Sequence, residues 1–166
     1  MRTIYFSGNP CHTYGEVPVV GSEAPEFLLT DKDLKPVRLS DYRGRRVVLN
    51  VFPSLDTPVC AASVQRFNKE AADLENTTVI CISMDLPFAM KRFCTAEGID
   101  DLVVASAFRA PDFARDYGLK MTDGPLEGLL ARAVLVVDEK GRMVYSDVVE
   151  EITNEPDYNG ALSALK

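Results

Sequence analysis

Three strongly apolar stretches, separated by segments with helical spacing, constrain most what this chain can fold into. They cover residues 45–52, 77–83 and 101–108, and each contains neighbouring β-branched residues. Continuous runs of this kind are typical of parallel strands that are buried on both faces. Between residues 61 and 74, apolar side chains recur every three or four positions, which indicates a helix with one buried face. The pattern predicts an α/β protein built on a central sheet.

The two ends of the chain extend this core. Residues 3–6 and a second short run around residues 7–10 predict an N-terminal β-hairpin, and residues 131–149 predict a second hairpin around a Gly-containing turn. Residues 155–166 predict a closing helix with Pro156 in its first turn. This order resembles the thioredoxin fold, a central mixed sheet flanked by helices. The length is typical of one domain, and we expect a single thioredoxin-like domain over residues 1–166.

Charge and hydropathy exclude several classes of function. The net charge is −7 and the Lys and Arg residues form no cluster, which argues against nucleic acid or an anionic membrane as a partner. No apolar run approaches the roughly 18 residues that a membrane helix needs. The N-terminal residues reach a Gly-Asn-Pro turn too soon to hold the apolar region of a signal peptide. We therefore expect a cytoplasmic protein.

The four cysteines, at positions 11, 60, 81 and 94, lie too far apart for the usual paired motifs. The chain contains no Cys-x-x-Cys, and its one histidine, His12, adjoins Cys11 in what we read as an unsupported turn. A structural zinc site needs paired ligands at short spacing, so we expect no metal. Cys81 falls inside an apolar strand, so we expect its side chain to pack in the core. We expect Cys11 to be an incidental thiol in a surface turn.

Cys60 stands where the first apolar strand ends and a helix begins. If Thr57 is the N-cap, Pro58 is the first helical residue, where a missing N–H costs nothing, and Cys60 is the third. A capping box would place a glutamate at that third position. The unpaired amides and the helix dipole there favour negative charge, so the position favours a thiolate.

The helix alone does not supply enough stabilisation to make the thiolate the main form. Lowering a thiol pKa from ~8.5 to ~6 requires roughly 3.4 kcal/mol, whereas a helix N-terminus supplies about 1 kcal/mol, up to ~2. A nearby cation is the natural source of the remainder. The alternative is a buried and inert cysteine, a common state for free thiols.

The surrounding sequence narrows the chemistry that a reactive Cys60 could perform. A papain-like protease needs a histidine base, and His12 is poorly placed for that role. Disulfide exchange of the thioredoxin kind needs a second cysteine where this chain has Thr57. A lone thiolate without a base suits an electrophile that needs no proton abstraction, such as a peroxide or a disulfide.

Two further residues are candidates for the same site. Arg132 interrupts an apolar strand, where a guanidinium is costly unless it is paired; it either serves a buried anion or extends along the surface to water. Cys94 lies in a predicted amphipathic helix, 34 positions after Cys60, and alone would be a half-buried core residue. Beside a peroxide-reactive Cys60 it becomes a candidate resolving thiol, provided that the helices loosen to bring the cysteines within about 7 Å.

Several segments together resemble one family. The signature Pro-x-x-x-Thr-x-x-Cys stands here as Pro53, Thr57 and Cys60. Further similarity lies in FPSLDTPVCAASVQRFN, ISMDLPFAMKRFC, DGPLEGLLARAVLVVD and EITNEPDY. In these segments the chain resembles a peroxiredoxin, and more narrowly the thiol peroxidase subfamily of atypical two-cysteine peroxiredoxins found in bacteria. Cys11 departs from the pattern, since an aliphatic residue is expected there.

The resemblance implies a role for each matching residue. Cys60 would be the peroxidatic cysteine, Thr57 would hydrogen-bond its thiolate and the peroxide, and Pro53 would shield the pocket from water. Arg132 would stabilise the thiolate and orient the peroxide. Cys94 would resolve the sulfenic acid as an intramolecular disulfide.

The resemblance also implies partners for the protein. These are thioredoxin as reductant, hydroperoxides (alkyl or lipid hydroperoxides and hydrogen peroxide) as substrates, and a second copy of the chain in a homodimer. No metal, haem, flavin or other cofactor is implied. The alternative function is a non-catalytic thioredoxin-like redox sensor that relays oxidation to a protein partner.

Overall fold

Alternating strands and helices build the chain around one large mixed sheet. The computed structural model describes residues 1–57, 65–67, 69–70, 73–99 and 102–166. Its strands are β1 Thr3–Phe6, β2 Asn9–His12, β3 Leu28–Asp31, β4 Pro36–Arg38, β5 Arg46–Val51, β6 Thr77–Ser83, β7 Val103–Ser106, β8 Ala133–Val137 and β9 Met143–Val148. The three apolar runs of the sequence therefore form strands β5, β6 and β7, as predicted.

The large sheet has seven strands in the order β4-β3-β7-β6-β5-β8-β9. Strands β5, β6 and β7 run parallel, and the remaining pairs are antiparallel. In register, Val51 at the end of β5 lies beside Ile82 of β6 and Ala133 at the start of β8. The end of β5 thus lies beside the start of β8, at the edge of the sheet where the parallel strands end. This is the mixed sheet expected for a thioredoxin-like fold.

Three helices are bounded within the described residues: α1 Pro87–Glu97, α2 Pro111–Asp116 and α3 Tyr158–Ala164. Gly98 follows helix α1 as its C-cap, and its φ of 65° is the left-handed conformation that glycine adopts readily there. The prediction that Pro156 lies in the first turn of the closing helix is wrong. Asp157 is the N-cap of α3, and its side chain accepts a hydrogen bond from Gly160 N, so Pro156 precedes the helix.

Side-chain alternation along the strands divides the core into two clusters, one on each face of the sheet. On the first face, α2 and the N-terminal hairpin cover the side chains of Val47, Leu49 and Val51. On the second face, α1 and α3 cover a cluster formed by Val48, Phe52, Leu55, Phe67, Val79, Cys81, Met90, Cys94, Ile99, Leu102, Val104, Val134, Val136, Tyr158, Ala161 and Leu165. Residues 65–67 and 69–70 are helical, and Phe67 joins this second cluster. None of the described helices is both long and apolar enough to span a membrane.

The N-terminal hairpin of β1 and β2 forms as predicted, but two expectations about its residues are wrong. Cys11 does not lie in a surface turn: it belongs to β2 and is only 3% exposed, because the hairpin packs against the first core cluster. His12 is not unsupported either. It ends β2, its backbone N–H donates to Asp123 Oδ1 over 2.8 Å, and its Nδ1 lies 2.7 Å from Asp123 Oδ2.

Candidate active site

The loop that follows β5 is held in place by the carboxylate of Asp85. Asp85 Oδ1 accepts a hydrogen bond from Ser54 Oγ over 2.8 Å, and Oδ2 accepts one from Leu55 N over 2.8 Å. Ser83 Oγ donates to the same Oδ2 over 2.6 Å. Because Asp85 lies just after β6, its side chain connects the ends of two neighbouring parallel strands. The sequence signal for this role is a lone aspartate two positions after a buried strand, and the sequence-based set of site residues lacks it.

Pro53 and Thr57 both belong to this loop. Pro53 is buried at the end of β5, next to Phe52 of the second core cluster. Thr57 is half-buried, and its Oγ1 lies 3.5 Å from the backbone oxygen of Ser54, a distance at the outer limit of a hydrogen bond. The prediction that Thr57 caps a helix with Pro58 and Cys60 in its first turn lies outside the described residues.

Arg132 reaches the same sheet edge from the opposite direction. It directly precedes β8, whose first residue, Ala133, pairs with Val51 at the end of β5. Arg132 is only 2% exposed, and its Nε donates a hydrogen bond to the backbone oxygen of Ile152 over 2.8 Å. The alternative in which the side chain extends along the surface to water is therefore wrong. The sheet thus brings a buried cation to the edge that carries Pro53 and Thr57.

Cys94 lies beneath the same loop. It is 2% exposed rather than half-buried, because it faces the second core cluster from helix α1. Phe52 and Leu55, which flank Pro53 in the loop, belong to that cluster as well. Cys94 is thus in the apolar cluster that also holds Phe52 and Leu55 of the segment 52–57 after β5.

Cys81 is buried as predicted, and it is not activated. Complete burial raises the pKa of its thiol strongly, and the nearby Cys94 raises it further. The amide of Asn50, its partner in register on β5, opposes this shift only in part. Burial also raises the pKa of the Cys11 thiol, together with the negative charges of Asp123 and Glu151. Both thiols are consequently poor nucleophiles at neutral pH.

Pro53 and Thr57 thus follow β5, and Arg132 precedes β8, whose first residue pairs with the last residue of β5. Cys94 belongs to the apolar cluster that also contains Phe52 and Leu55. Cys60, the fifth predicted site residue, lies outside the described residues, three positions after Thr57 in sequence. In the described part of the chain, no group of three or more His, Cys, Asp or Glu side chains could hold a metal ion. These features define the class of the protein: a thioredoxin-like α/β protein with a buried arginine next to the strand β5 and the segment that follows it.

Comparison with known proteins agrees with this class. The Redoxin family model matches residues 19–162. The chain is 53% identical to a thiol peroxidase of Corynebacterium glutamicum and 51% identical to one of Mycobacterium tuberculosis, in each case over 99% of both chains. A peroxiredoxin-like protein from Aquifex aeolicus superposes with a TM-score of 0.93 at 40% identity, over 99% of this chain and 96% of the other.

A more distant structure supports the fold alone. The thiol peroxidase from Chromobacterium violaceum has a TM-score of 0.92 at 19% identity, with 99% of this chain and 96% of the other covered. From the family match and the identities above, this chain belongs to the redoxin family, as a peroxiredoxin enzyme of the thiol peroxidase kind.

Proposed function

We propose that the protein reduces hydroperoxides by using Cys60 as the nucleophile. The thiolate sulfur bonds to the terminal peroxide oxygen as the O–O bond breaks, which leaves a sulfenic acid and an alkoxide that takes a proton from solvent. Both oxygens gain negative charge in this step, so donors already directed at them lower the barrier. Thr57 and Arg132 are the proposed donors, and Pro53 is proposed to shield the pocket from water.

The burial of Arg132 is the observation that supports this proposal most strongly. A guanidinium that is 2% exposed at the edge of an apolar sheet is costly unless it serves an anion or a network of hydrogen bonds. Sequence reasoning required a cation close to the thiolate to supply what the helix N-terminus cannot. The register of β5 with β8 supports Arg132 in this role, because it pairs Ala133, the next residue, with Val51 at the end of β5.

We propose that Cys94 completes the cycle. Its thiolate attacks the sulfenic sulfur, a disulfide forms and hydroxide leaves; thioredoxin then reduces the disulfide with its own dithiol. Because Cys94 is buried in α1, that helix must loosen before the sulfur atoms can meet. The proposed substrates are alkyl or lipid hydroperoxides together with hydrogen peroxide, and no cofactor takes part.

An exposed apolar patch beside this edge supports the proposed homodimer. Leu86, Phe88 and Phe108 are 53%, 69% and 37% exposed. They follow β6 and β7, whose last residues, Ser83 and Ser106, are partners in register, so the patch adjoins the edge that carries Asp85. We further propose that residues 1–166 act as one domain in the cytoplasm.

Turnover with a thioredoxin reducing system tests the assignment of the two cysteines. Wild type is compared with Cys60→Ser, Cys94→Ser and Cys81→Ser, the last as a control of the same chemistry outside the site. Cys60→Ser should abolish turnover, whereas Cys94→Ser should allow one fast oxidation without recycling. Wild-type turnover in Cys60→Ser would contradict the proposal. A single stoichiometric oxidation by the wild-type protein would instead indicate the redox sensor.

A further inference from the structure

The carbonyl that holds Arg132 belongs to a segment that is itself held by the N-terminal hairpin. Ile152 O accepts the hydrogen bond from Arg132 Nε over 2.8 Å, while Ile152 N donates to Tyr5 O over 2.9 Å. Tyr5 N in turn donates to Glu150 O over 2.7 Å. Strand β1 therefore lies beside residues 150–152, with Tyr5 and Glu151 forming a parallel bridge. The position of the Ile152 carbonyl depends on this contact.

The side chain of Glu151 connects the same segment to the turn of the hairpin. Its Oε1 accepts from Gly8 N over 2.8 Å and its Oε2 accepts from Ser7 N over 3.1 Å. Oε2 also accepts from Thr153 N over 3.1 Å and from Thr153 Oγ1 over 3.0 Å. One carboxylate thus joins both central residues of the turn to the residue that follows Ile152.

The turn needs such support because of its backbone. Ser7 and Gly8 have φ values of 51° and 82°, the left-handed combination that a two-residue hairpin turn requires. Glycine adopts it readily, but serine does so only at some cost. Hydrogen bonds from both amides to Glu151 favour this conformation. The hydrogen bond from the backbone N–H of Thr153, followed by those from Gly8 and Ser7, lowers the pKa of the Glu151 carboxyl.

We propose that Glu151 is a positioning residue for the peroxidase reaction, acting through Ile152 and Arg132. By fixing the hairpin turn against residues 150–153, it fixes the carbonyl that sets the direction of the Arg132 guanidinium. Glu151 itself does not touch the reacting atoms. The proposal rests on the proposed function, in which Arg132 stabilises the Cys60 thiolate and the peroxide.

The first experiment compares Glu151→Gln with Glu150→Gln. Glu150 is the matched control, because it is the exposed neighbour and takes part in the contact with Tyr5 through its backbone carbonyl. The readout is the single-turnover rate of peroxide with the reduced protein, measured as a function of pH. Glu151→Gln should slow the reaction about tenfold, the equivalent of one hydrogen bond to a charged group, and shift the pH profile upward. Glu150→Gln should match wild type.

A double-mutant cycle with Arg132→Met separates positioning from a general loss of stability. If Glu151 acts through Arg132, Glu151→Gln should cause no further loss of rate in the Arg132→Met background. An equal loss in both backgrounds, or a wild-type rate in Glu151→Gln, would overturn the proposal. Thr153→Val removes one donor to the carboxylate and serves as the milder variant if Glu151→Gln fails to fold; it should show a smaller loss in the same direction.

The cycle also distinguishes failure of this proposal from failure of the proposed function. If Arg132→Met reacts with peroxide at the wild-type rate, the role of Arg132 is wrong and the function must be reconsidered. If Arg132→Met is slow but Glu151→Gln is not, only the positioning role of Glu151 is wrong.

Discussion

The carboxylate of Asp85 accepts a hydrogen bond from the backbone N–H of Leu55 over 2.8 Å, which joins the end of β6 to the loop after β5. Two serine hydroxyls, those of Ser54 and Ser83, donate to the same carboxylate. Asp85 therefore fixes the loop that contains Pro53 and Thr57. All three hydrogen bonds are made to a charged acceptor, which makes each of them stronger than a bond between neutral groups.

Replacing Asp85 by asparagine should destabilise both the fold and the site. The neutral amide can keep its oxygen toward Leu55 N and Ser83 Oγ, but it replaces charge-assisted hydrogen bonds by weaker neutral ones. We therefore expect a loss of about 2 kcal/mol, within the range for hydrogen bonds to charged groups, and a slower reaction with peroxide. Urea unfolding and single-turnover rates measure the two effects. Asp56→Asn is the control, because Asp56 is exposed in the same loop. Equal stability of the two variants would contradict this account of the loop.

Replacing the buried Asn50 by an apolar residue should raise the stability of the protein. Asn50 is fully buried on β5, and among the described residues neither polar atom of its side-chain amide has a hydrogen-bond partner of good geometry. The neighbouring Cys81 thiol, a weak hydrogen-bonding group, compensates the amide only in part. A buried polar group without a partner costs about 1–3 kcal/mol. Asn50→Val should therefore raise the free energy of unfolding by roughly 1 kcal/mol, measured by urea denaturation. A clear fall would show that the amide is satisfied, for example by an ordered water.

The apolar patch of Leu86, Phe88 and Phe108 predicts the oligomeric state. If the patch forms the interface of a homodimer, Phe88→Glu should place an unpaired charge there and shift the protein to a monomer. Light scattering coupled to size-exclusion chromatography measures the mass directly. Val19→Glu is the control, since Val19 is 76% exposed and lies far from the patch in sequence. An unchanged dimer in Phe88→Glu would place the interface elsewhere.

The contact between His12 and Asp123 predicts a pH dependence of stability. Hydrogen bonds from the His12 ring and backbone lower the pKa of Asp123 from its ordinary value of 3.8. A carboxyl whose pKa is lower in the folded protein contributes stability above the unfolded pKa, and this contribution is lost as the pH falls through the folded pKa. Asp123→Asn should therefore be less stable than wild type at pH 6, and the difference should shrink below about pH 3.8. A difference in urea midpoint that is independent of pH would contradict this assignment.

The sequence was sufficient to predict the sheet, because three continuous apolar runs with intervening helical spacing leave few alternatives. It was less informative about the hairpin, where a Gly-Asn-Pro turn in a polar context hid the burial of Cys11. That burial depends on contacts with residues more than 100 positions away, such as Asp123 against His12. Spacing within a segment carries no information about such pairs.

The same limit applies to the candidate site. Pro53 and Thr57 could be selected from a local motif, whereas the burial of Arg132 could not be decided until the register of β5 with β8 was known. Asp85 follows a buried strand, which is a local signal, but its hydrogen bond to Leu55 N, 30 positions away, could not be read from the sequence. Glu151 acts on the backbone of Gly8, 143 positions away, and leaves no local pattern at all.

The most direct test is the pH dependence of the peroxide reaction in wild type and in Arg132→Met. Methionine fills similar space without a charge, so the buried site stays packed while the cation is removed. If Arg132 stabilises the Cys60 thiolate, the wild-type rate should be half-maximal well below pH ~8.5, and in Arg132→Met the profile should move up toward that value. Identical profiles in the two proteins would contradict the central claim that a buried arginine activates Cys60.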